Sequence, residues 1–321
     1  MAFNNQRRGI AAGMAACALW GLVFLAPELT PGFSPLQLSA GRYLAYGVVA
    51  AILIAPSWRR LTARLTWREW CGLAWLALSG NLVYYVLLAN AVQTGGVAMT
   101  SLVIGLLPVA VTVAGARDRR GPHAVPLRRL LPSLTLSLAG LLCIGWQALA
   151  VSARATGAAS VVGLLCALGA LLSWTVYVVS NSRALARLDG VSAHEWSLLT
   201  GVVTGALALL LAVPALVIDT AVHAARDWWW FAGVVTAVAI CCSIVGNGLW
   251  NIASRALPLT MTGQLIVFET VCGVLYGLLW ERRWPTLAEA AALALLLGGV
   301  ALCARAHRPG RAAVAPVERP A

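Results

Sequence analysis

The sequence contains no lysine and little charge of any kind: only 11% of its 321 residues are charged, whereas 60% are hydrophobic. Soluble domains carry about 25% charged residues, so this composition excludes an ordinary soluble protein. The absence of lysine also excludes the Gly-x-x-x-x-Gly-Lys loop that holds ATP phosphates. ATP-driven pumping by this chain is therefore excluded as well.

Clustered metal ligands are also lacking. The eight cysteines form no Cys-x-x-Cys motif, and the four histidines are scattered in or beside the predicted loops. The close acid–base pair His194 and Glu195 stands at a helix start, where capping explains it. We expect no metal, no cofactor and no catalytic residue. A membrane enzyme that acts on lipid-linked substrates is the alternative to this non-enzyme interpretation.

Long apolar segments make up most of the chain. A helix needs about 20 apolar residues to cross the hydrocarbon core of a bilayer. The sequence predicts an all-α membrane protein whose ten transmembrane helices lie near residues 9–25, 35–55, 69–91, 96–116, 129–151, 160–183, 193–218, 228–256, 259–280 and 286–304.

The 23 arginines are unevenly distributed between these segments. One side holds 18 of them, Arg42 lies inside the second helix, and the other side holds only Arg154, Arg226, Arg282 and Arg283. Because positively charged loops resist translocation, we expect a multi-pass protein with both termini in the cytoplasm. The lysine-free, Arg-rich and Ala-rich composition favours a bacterial cytoplasmic (inner) membrane. The net charge of +12 indicates contact with anionic membrane lipid, and no nucleic acid.

The chain also contains a weak internal repeat. Residues 97–101 resemble residues 259–263, a shift of 162 positions. The same or a similar shift pairs Ala91 with Ala253, Trp20 with Trp174, and Ser34 with Ser192. Each copy holds five predicted helices, and because five is odd the second copy must enter the membrane from the opposite side.

We therefore expect two inverted repeats. The first five-helix repeat covers residues 1–155, the second covers residues 156–305, and residues 306–321 form a disordered cytoplasmic tail. Inverted repeats are a recurring plan of secondary transporters, in which a central site lies near the bilayer midplane between the two halves. Such halves can exchange conformations, so that the cavity opens first to one side and then to the other.

Several short motifs resemble the drug/metabolite transporter superfamily, in its ten-helix EamA-type branch. They are Leu19-Trp20-Gly21, Ser34-Pro35-Leu36 with Arg42, Ala89-Asn90-Ala91 followed by Pro108-Val109, and Phe268-Glu269-Thr270-Val271 followed by Trp280-Glu281. The family has Glu-Pro-Val and Gly-Glu in the last pair of motifs, so Thr270 and Trp280 depart from it. The resemblance implies ten helices around a central cavity and transport of small metabolites, often export. The many aromatic residues make the chain similar to the YddG-type aromatic amino acid exporters of that branch.

Polar and aromatic residues in the middle of predicted spans are the candidates for substrate binding, because polar groups inside a membrane are costly. On the third and eighth helices these are Asn81, Tyr84, Tyr85, Asn247, Trp250 and Asn251. The other candidates are Trp20, Trp174, Tyr177, Met99, Gln264 and Phe268. Amide groups beside aromatic faces suit a zwitterion with an apolar side chain. Interhelical hydrogen bonds and ordinary packing are the alternatives.

Two charges lie deep in the predicted spans. Glu269 must be protonated, paired or in contact with water, so it is a candidate for proton coupling or for binding a substrate ammonium group. It could equally form a hydrogen bond within the bundle. Arg42 is interpreted as a structural residue that extends outward toward Glu28.

These features together predict a secondary transporter or facilitator. It exports small metabolites, above all amino acids with aromatic or other apolar side chains, by alternating access. The expected partners are the small-molecule substrate and membrane lipid. Gly-x-x-x-Gly spacings at Gly201/Gly205 and Gly273/Gly277 are interpreted as packing seams inside a monomer, with a weak dimer as the alternative.

Overall fold

The computed structural model describes residues 2–95, 100, 103–117, 126–152, 158–188, 190–218 and 223–307. Within these residues the secondary structure is helical throughout, with no strand, which confirms the all-α prediction for this part of the chain. Thirteen longer helices are labelled here: α1 Ala2–Gly21, α2 Pro35–Ile54, α3 Trp67–Ala77, α4 Val83–Gly95, α5 Leu107–Arg117, α6 Leu127–Ser152, α7 Ala158–Arg187, α8 Ala193–Ile218, α9 Ala225–Val238, α10 Asn247–Ala256, α11 Leu259–Leu265, α12 Val267–Glu281 and α13 Leu287–Ala306.

Seven helical segments of the described residues are long and apolar enough to cross a membrane. They are Leu36–Thr62, Trp67–Val92, Val161–Arg187, Ala193–Ala215, Ala225–Ala256, Leu259–Glu281 and Leu287–Ala306. The predicted spans at 9–25 and 129–151 lie within helices but are not among these seven, and the span at 96–116 falls partly outside the described residues. The count of ten therefore stays a prediction.

Two long helices are interrupted by π-helical turns. Leu78–Leu82 joins α3 to α4, and Ala239–Gly246 joins α9 to α10. A π turn places one extra residue in the helix and shifts the hydrogen-bond register, a feature that is frequent at functional sites. Here the candidate residue Asn81 lies in the first π turn, and the candidate residue Asn247 directly follows the second.

Two loops lead into α2 and α8 with the same local structure. Gly32 and Gly190 both have positive φ, at 109° and 80°, a conformation that glycine adopts without steric cost. Two residues later, Ser34 and Ser192 cap their helices. The Ser34 hydroxyl accepts from the backbone N–H three residues ahead at 3.2 Å, and the Ser192 hydroxyl does so at 3.1 Å. These capping boxes fix where each helix begins.

Each of the main helix pairs joins a helix from the first half of the chain to a helix from the second half. Helix α2 packs against α8, α4 against α7, α1 against α10, α5 against α11, and α6 against α13. At the α2–α8 crossing Gly47 contacts Gly205 directly, so that a Cβ added to Gly47 would lie 2.5 Å from the Gly205 Cα. The largest cluster of buried side chains lies between α1, α2, α3, α7, α8 and α10.

Candidate functional site

Five aromatic side chains from four helices meet inside this bundle. The ring centroid of Trp20 on α1 lies 5.1 Å from that of Trp250 on α10 and 6.3 Å from that of Trp174 on α7. Trp174 in turn lies 6.0 Å from Tyr177 and 6.5 Å from Tyr84 of α4. These separations are in the range of attractive aromatic pairs. We call these five residues the aromatic cluster.

The π turns and two glycines position the cluster. The Trp20 indole Nε1 donates to the carbonyl of Cys242 in the second π turn at 2.9 Å. Gly246 allows this approach, because a Cβ there would lie 2.9 Å from the Trp20 Nε1. In the first π turn a Cβ on Gly80 would overlap the ring of Tyr177. Aromatic rings therefore lie directly against backbone at both turns.

The fully buried Trp250 contributes an unpartnered donor to the cluster. Its side chain has no solvent exposure, and its indole Nε1 has no hydrogen-bond partner among the described residues. Most buried polar groups in proteins are hydrogen-bonded, so an unpartnered donor of this kind is unusual.

A charged pair lies beside the cluster. Arg42 on α2 donates from Nε to the Ser243 hydroxyl in the second π turn at 3.3 Å, and its guanidinium lies 5.6 Å from the ring centre of Tyr43. Glu269, in the first turn of α12, interacts electrostatically with Arg42 and with Tyr84. The side chain of Arg42 thus joins α2 to α9–α10, in place of the expected extension toward Glu28.

Glu269, Tyr84 and Tyr85 are half-buried, and each keeps partial solvent accessibility. Phe268 packs at the edge of the same buried cluster.

Asn81 lies in the first π turn, and Asn247 directly follows the second. Asn81 donates from Nδ2 to the Thr204 hydroxyl of α8 at 3.1 Å. Asn247 interacts with the hydroxyl of Tyr46, which itself donates to the Ser197 carbonyl at 2.6 Å. Asn81 therefore joins the π turn before α4 to α8, and Asn247 joins α10 to α2. Helices α4 and α10 both carry residues of the aromatic cluster.

Asn251 belongs to a separate hydrogen-bond network. Its Oδ1 accepts from Asn181 Nδ2 at 2.9 Å, and its Nδ2 donates to the Ala193 carbonyl at 3.2 Å. Asn181 also accepts from the indole of Trp196 at 3.0 Å. This network links α7, α8 and α10, which is the interhelical role that the sequence left open as an alternative.

Gln264 has a similar set of contacts in another part of the bundle. Its Nε2 donates to the Thr112 hydroxyl at 3.2 Å, and its Oε1 accepts from Ser133 at 3.0 Å and Ser137 at 3.3 Å. Its partners lie on α5 and α6, away from the aromatic cluster. Met99, the remaining candidate, lies outside the described residues.

Two clefts lie apart from the aromatic cluster. One of about 330 Å³ lies at the far end of α1, where Leu25 and Glu28 face Trp280 and Glu281. The other, of about 220 Å³, is apolar and lies between α1, α11, α12 and α13; Met261, Gln264 and Phe268 line it. Among the described residues, no group of three or more His, Cys, Asp or Glu side chains could hold a metal ion.

Sequence reasoning missed the inward direction of Arg42. A signal for it exists, since Ser39, Arg42 and Tyr46 are three and four residues apart and share one face of α2. Ser39 and Tyr46 are both buried, so this face looks inward. The partner of Arg42 could not be found in this way, because Ser243 lies 201 positions away.

The geometry can be compared with known proteins. The sequence profile of the EamA-like transporter family matches residues 7–116 and 161–305, one segment in each half of the chain. The inner membrane protein YtfF of Escherichia coli (strain K12) is 31% identical over 311 residues, which cover 93% of this chain and 95% of that protein. A crystal structure titled simply as that of a protein aligns with 94% of this chain and 99% of its own, with a TM-score of 0.74. At 22% identity, that likeness concerns the fold alone. The family profile and the relative together establish that the chain belongs to the EamA-like transporter family.

Proposed function

We propose that this EamA family transporter moves amino acids with aromatic or other apolar side chains through its interior by alternating access. One observation carries the proposal: six helices contribute aromatic and charged side chains to the interior of the bundle, the aromatic cluster coming from four of them and Arg42 and Glu269 from the other two. Aromatic faces suit an apolar side chain, and the two charges suit a zwitterionic head group.

The packing pattern supports two inverted repeats, at residues 1–155 and 156–305. If the halves correspond helix by helix, the contact of α1 with α10 has its counterpart in that of α7 with α4. The contacts α2–α8, α5–α11 and α6–α13 would then each join a helix to its own equivalent in the other half, so exchange of the halves leaves each contact unchanged. Such an arrangement is expected of two halves related by a two-fold axis in the membrane plane. The matching capping boxes and the two π turns support the same division.

Contacts at both ends of the bundle support two gates. After α2, Arg60 forms an ion pair with Glu195, and Arg64 donates to the Gly190 carbonyl at 3.2 Å. Before α2, at the opposite end, the ring of Phe33 stacks on His223 at 4.1 Å. We assign the first set to the cytoplasmic gate and the second to the opposite gate, as the arginine distribution indicates.

We further propose export across a bacterial inner membrane, with both termini in the cytoplasm and the chain working as a monomer. The similarity to a relative that is named an inner membrane protein supports this location. The aromatic cluster supports the finer placement with YddG-type exporters. A membrane enzyme is not favoured, since the family to which the chain belongs is one of transporters.

Uptake of labelled phenylalanine, tryptophan and threonine into inverted membrane vesicles tests the proposal. We expect uptake to depend on the expressed chain and to be inhibited by the other aromatic amino acids. Vesicles with the Glu269→Gln variant should show altered transport or an altered pH profile between about pH 5 and pH 8. If no amino acid is taken up, the substrate assignment is wrong; if Glu269→Gln changes nothing over that range, its transport role is wrong.

A further inference from the structure

The apolar cleft of about 220 Å³ lies between α1 and α13, over a floor formed by α11 and α12. Helices α1 and α13 both pack against this floor but have few contacts with each other, so a gap stays open between them. Met14 on α1 and Leu297 and Ala301 on α13 line the cleft and are exposed. Exposed apolar side chains of a membrane helix meet lipid tails, which are as apolar as leucine. The cleft therefore opens toward acyl chains.

The lining of the cleft suits a hydrocarbon chain and no polar ligand. Of the described side chains that line it, all except Gln264 and Cys303 are apolar. The amide of Gln264 already bonds to three hydroxyl groups, and the Cys303 thiol donates to the Thr260 carbonyl at 3.9 Å. The volume is also below the range of about 300–1,000 Å³ that is typical of pockets for drug-sized molecules. A slender apolar chain matches both the size and the chemistry.

Both walls of the cleft lead to an arginine. On α13, Leu297, Ala301 and Arg305 follow one another at intervals of four residues, so they lie on one face of the helix. All three are exposed. On α1, the exposed Arg7 precedes Met14 by about two helical turns and lies on the same face. Each wall is thus apolar along the cleft and cationic at its end.

The distances along the two helices correspond to one leaflet of a bilayer. At a rise of about 1.5 Å per residue, Arg7 lies about 10 Å from Met14, and Arg305 lies about 12 Å from Leu297. One leaflet contributes about 15 Å, half of the hydrocarbon core. The cleft is therefore at the depth of the acyl chains and the arginines are at the depth of the headgroups, in the leaflet that the proposed orientation makes cytoplasmic.

The charge at this end of the two helices favours an anionic headgroup. Helix α1 contains no acidic residue, and the acidic residue of α13, Glu289, lies in the first turn at the opposite end. A guanidinium group forms strong, charge-assisted hydrogen bonds with phosphate. Basic residues at the membrane surface also attract anionic lipids.

We propose that the cleft between α1 and α13 is a binding site for one anionic phospholipid. An acyl chain lies between Met14 and Ala301, and the phosphate lies between Arg7 and Arg305. The chain fills the gap between two helices that have few contacts of their own. Phe268 lines the cleft and also packs against the largest buried cluster, so the bound chain touches a residue that contacts the interior. The site is separate from the aromatic cluster and goes beyond the proposed function.

Lipid titration of the delipidated protein in detergent, followed by native mass spectrometry, tests the headgroup. The probes are phosphatidylglycerol and phosphatidylcholine with the same acyl chains, and we expect the wild-type protein to bind phosphatidylglycerol more tightly. Arg305→Gln should weaken the binding of phosphatidylglycerol about fivefold, the contribution of one basic residue to anionic lipid, and should leave phosphatidylcholine unchanged. Arg187→Gln, at another exposed arginine, is the matched control and should change neither.

Ala301→Trp tests the acyl-chain part of the site. The indole ring would occupy the cleft, and the loss of even two buried methylene groups weakens lipid binding at least about tenfold. Ala294→Trp is the control, because Ala294 is exposed on the same face of α13 but does not line the cleft. The unfolding midpoints of both variants show whether they fold, and Ala301→Leu replaces Ala301→Trp if that variant does not.

A photoactivatable phosphatidylglycerol, with a diazirine in its acyl chain, locates the lipid on the wild-type protein. We expect labelling close to Met14 and Ala301, and competition by unlabelled phosphatidylglycerol. Labelling spread evenly over the exposed apolar faces, or unchanged binding by the Ala301 variant, would overturn the proposal. A purified dimer that Ala301→Trp dissociates would also overturn it, because a second copy of the chain would then cover the cleft. Amino acid transport enters none of these measurements, so the proposed function fails or stands separately.

Discussion

Gly47 and Gly205 show how much depends on the absence of a side chain. The backbones of α2 and α8 touch at this pair, which lies at the centre of the proposed two-fold arrangement. Small residues allow such close approach of helices within a membrane. The sequence predicted a seam at Gly205, but its partner Gly47 has no Gly-x-x-x-Gly signal of its own.

We expect Gly47→Ala to destabilise the protein by about 1–3 kcal/mol, the usual cost of overpacking. The added Cβ would meet backbone, which has no rotamer by which to move away. The measurement is the midpoint of thermal unfolding in detergent. Gly72→Ala is the control, because a Cβ there meets nothing within 4 Å and alanine favours helix formation. Equal midpoints for the two variants would contradict the close contact.

Gln264 allows a second residue-scale prediction. It is buried and bonded to three hydroxyl groups, so Gln264→Leu should lower the unfolding midpoint by an amount that corresponds to about 1–2 kcal/mol. The KM for phenylalanine should not change, because the partners of Gln264 lie away from the aromatic cluster. A KM that rises while the midpoint stays constant would favour the substrate-binding role predicted from the sequence.

Among the secondary-structure elements, the sequence predicted the helices but not their internal irregularities or their distant partners. Within the described residues, hydropathy predicted helices at positions where the structure has them, because length and apolar composition are local properties of the chain. The π turns at Leu78–Leu82 and Ala239–Gly246 were not predicted, since a change of hydrogen-bond register leaves no hydropathy signal, and the rings that pack against Gly80 and Gly246 come from other helices. The division of Asn81 and Asn251 between different hydrogen-bond networks likewise depends on partners that are distant in sequence.

The ion pair between Arg60 and Glu195 makes the proposed cytoplasmic gate testable. Glu195→Gln removes the charge but keeps the helix cap, because Gln37 already fulfils that capping role at the start of α2. We expect amide hydrogen exchange to accelerate by up to a few fold in residues 58–65 and 190–195, in keeping with the small free energy of an exposed ion pair.

Glu281→Gln is the matched control for this experiment. Glu281, the last residue of α12, pairs with Arg283 only two positions later, so its loss should not affect residues 58–65. If exchange there is the same in wild type, Glu195→Gln and Glu281→Gln, the ion pair does not hold the gate closed.

At the scale of the whole molecule, hydropathy predicts the membrane spans but not the side of the membrane on which each end of the chain lies. The arginine distribution predicts that the two termini lie on the same, cytoplasmic side. A green fluorescent protein fused after residue 305 should therefore fluoresce, whereas the same reporter inserted after residue 155 should not, and alkaline phosphatase at these positions should give the reverse result. Fluorescence from both fusions would contradict the five-helix repeat.

Arg42 and Glu269 have no charged counterparts in the other half, since the shifts of 158 and 162 positions align them with Thr200 and Leu107. When the two halves exchange shapes, these charges therefore meet different surroundings in the inward-open and the outward-open state, and the affinity for cargo differs between the two sides. In a passive carrier the sign of net flow still follows from the electrochemical gradients of the cargo and of any coupled ion, so the proposed export requires a gradient directed outward.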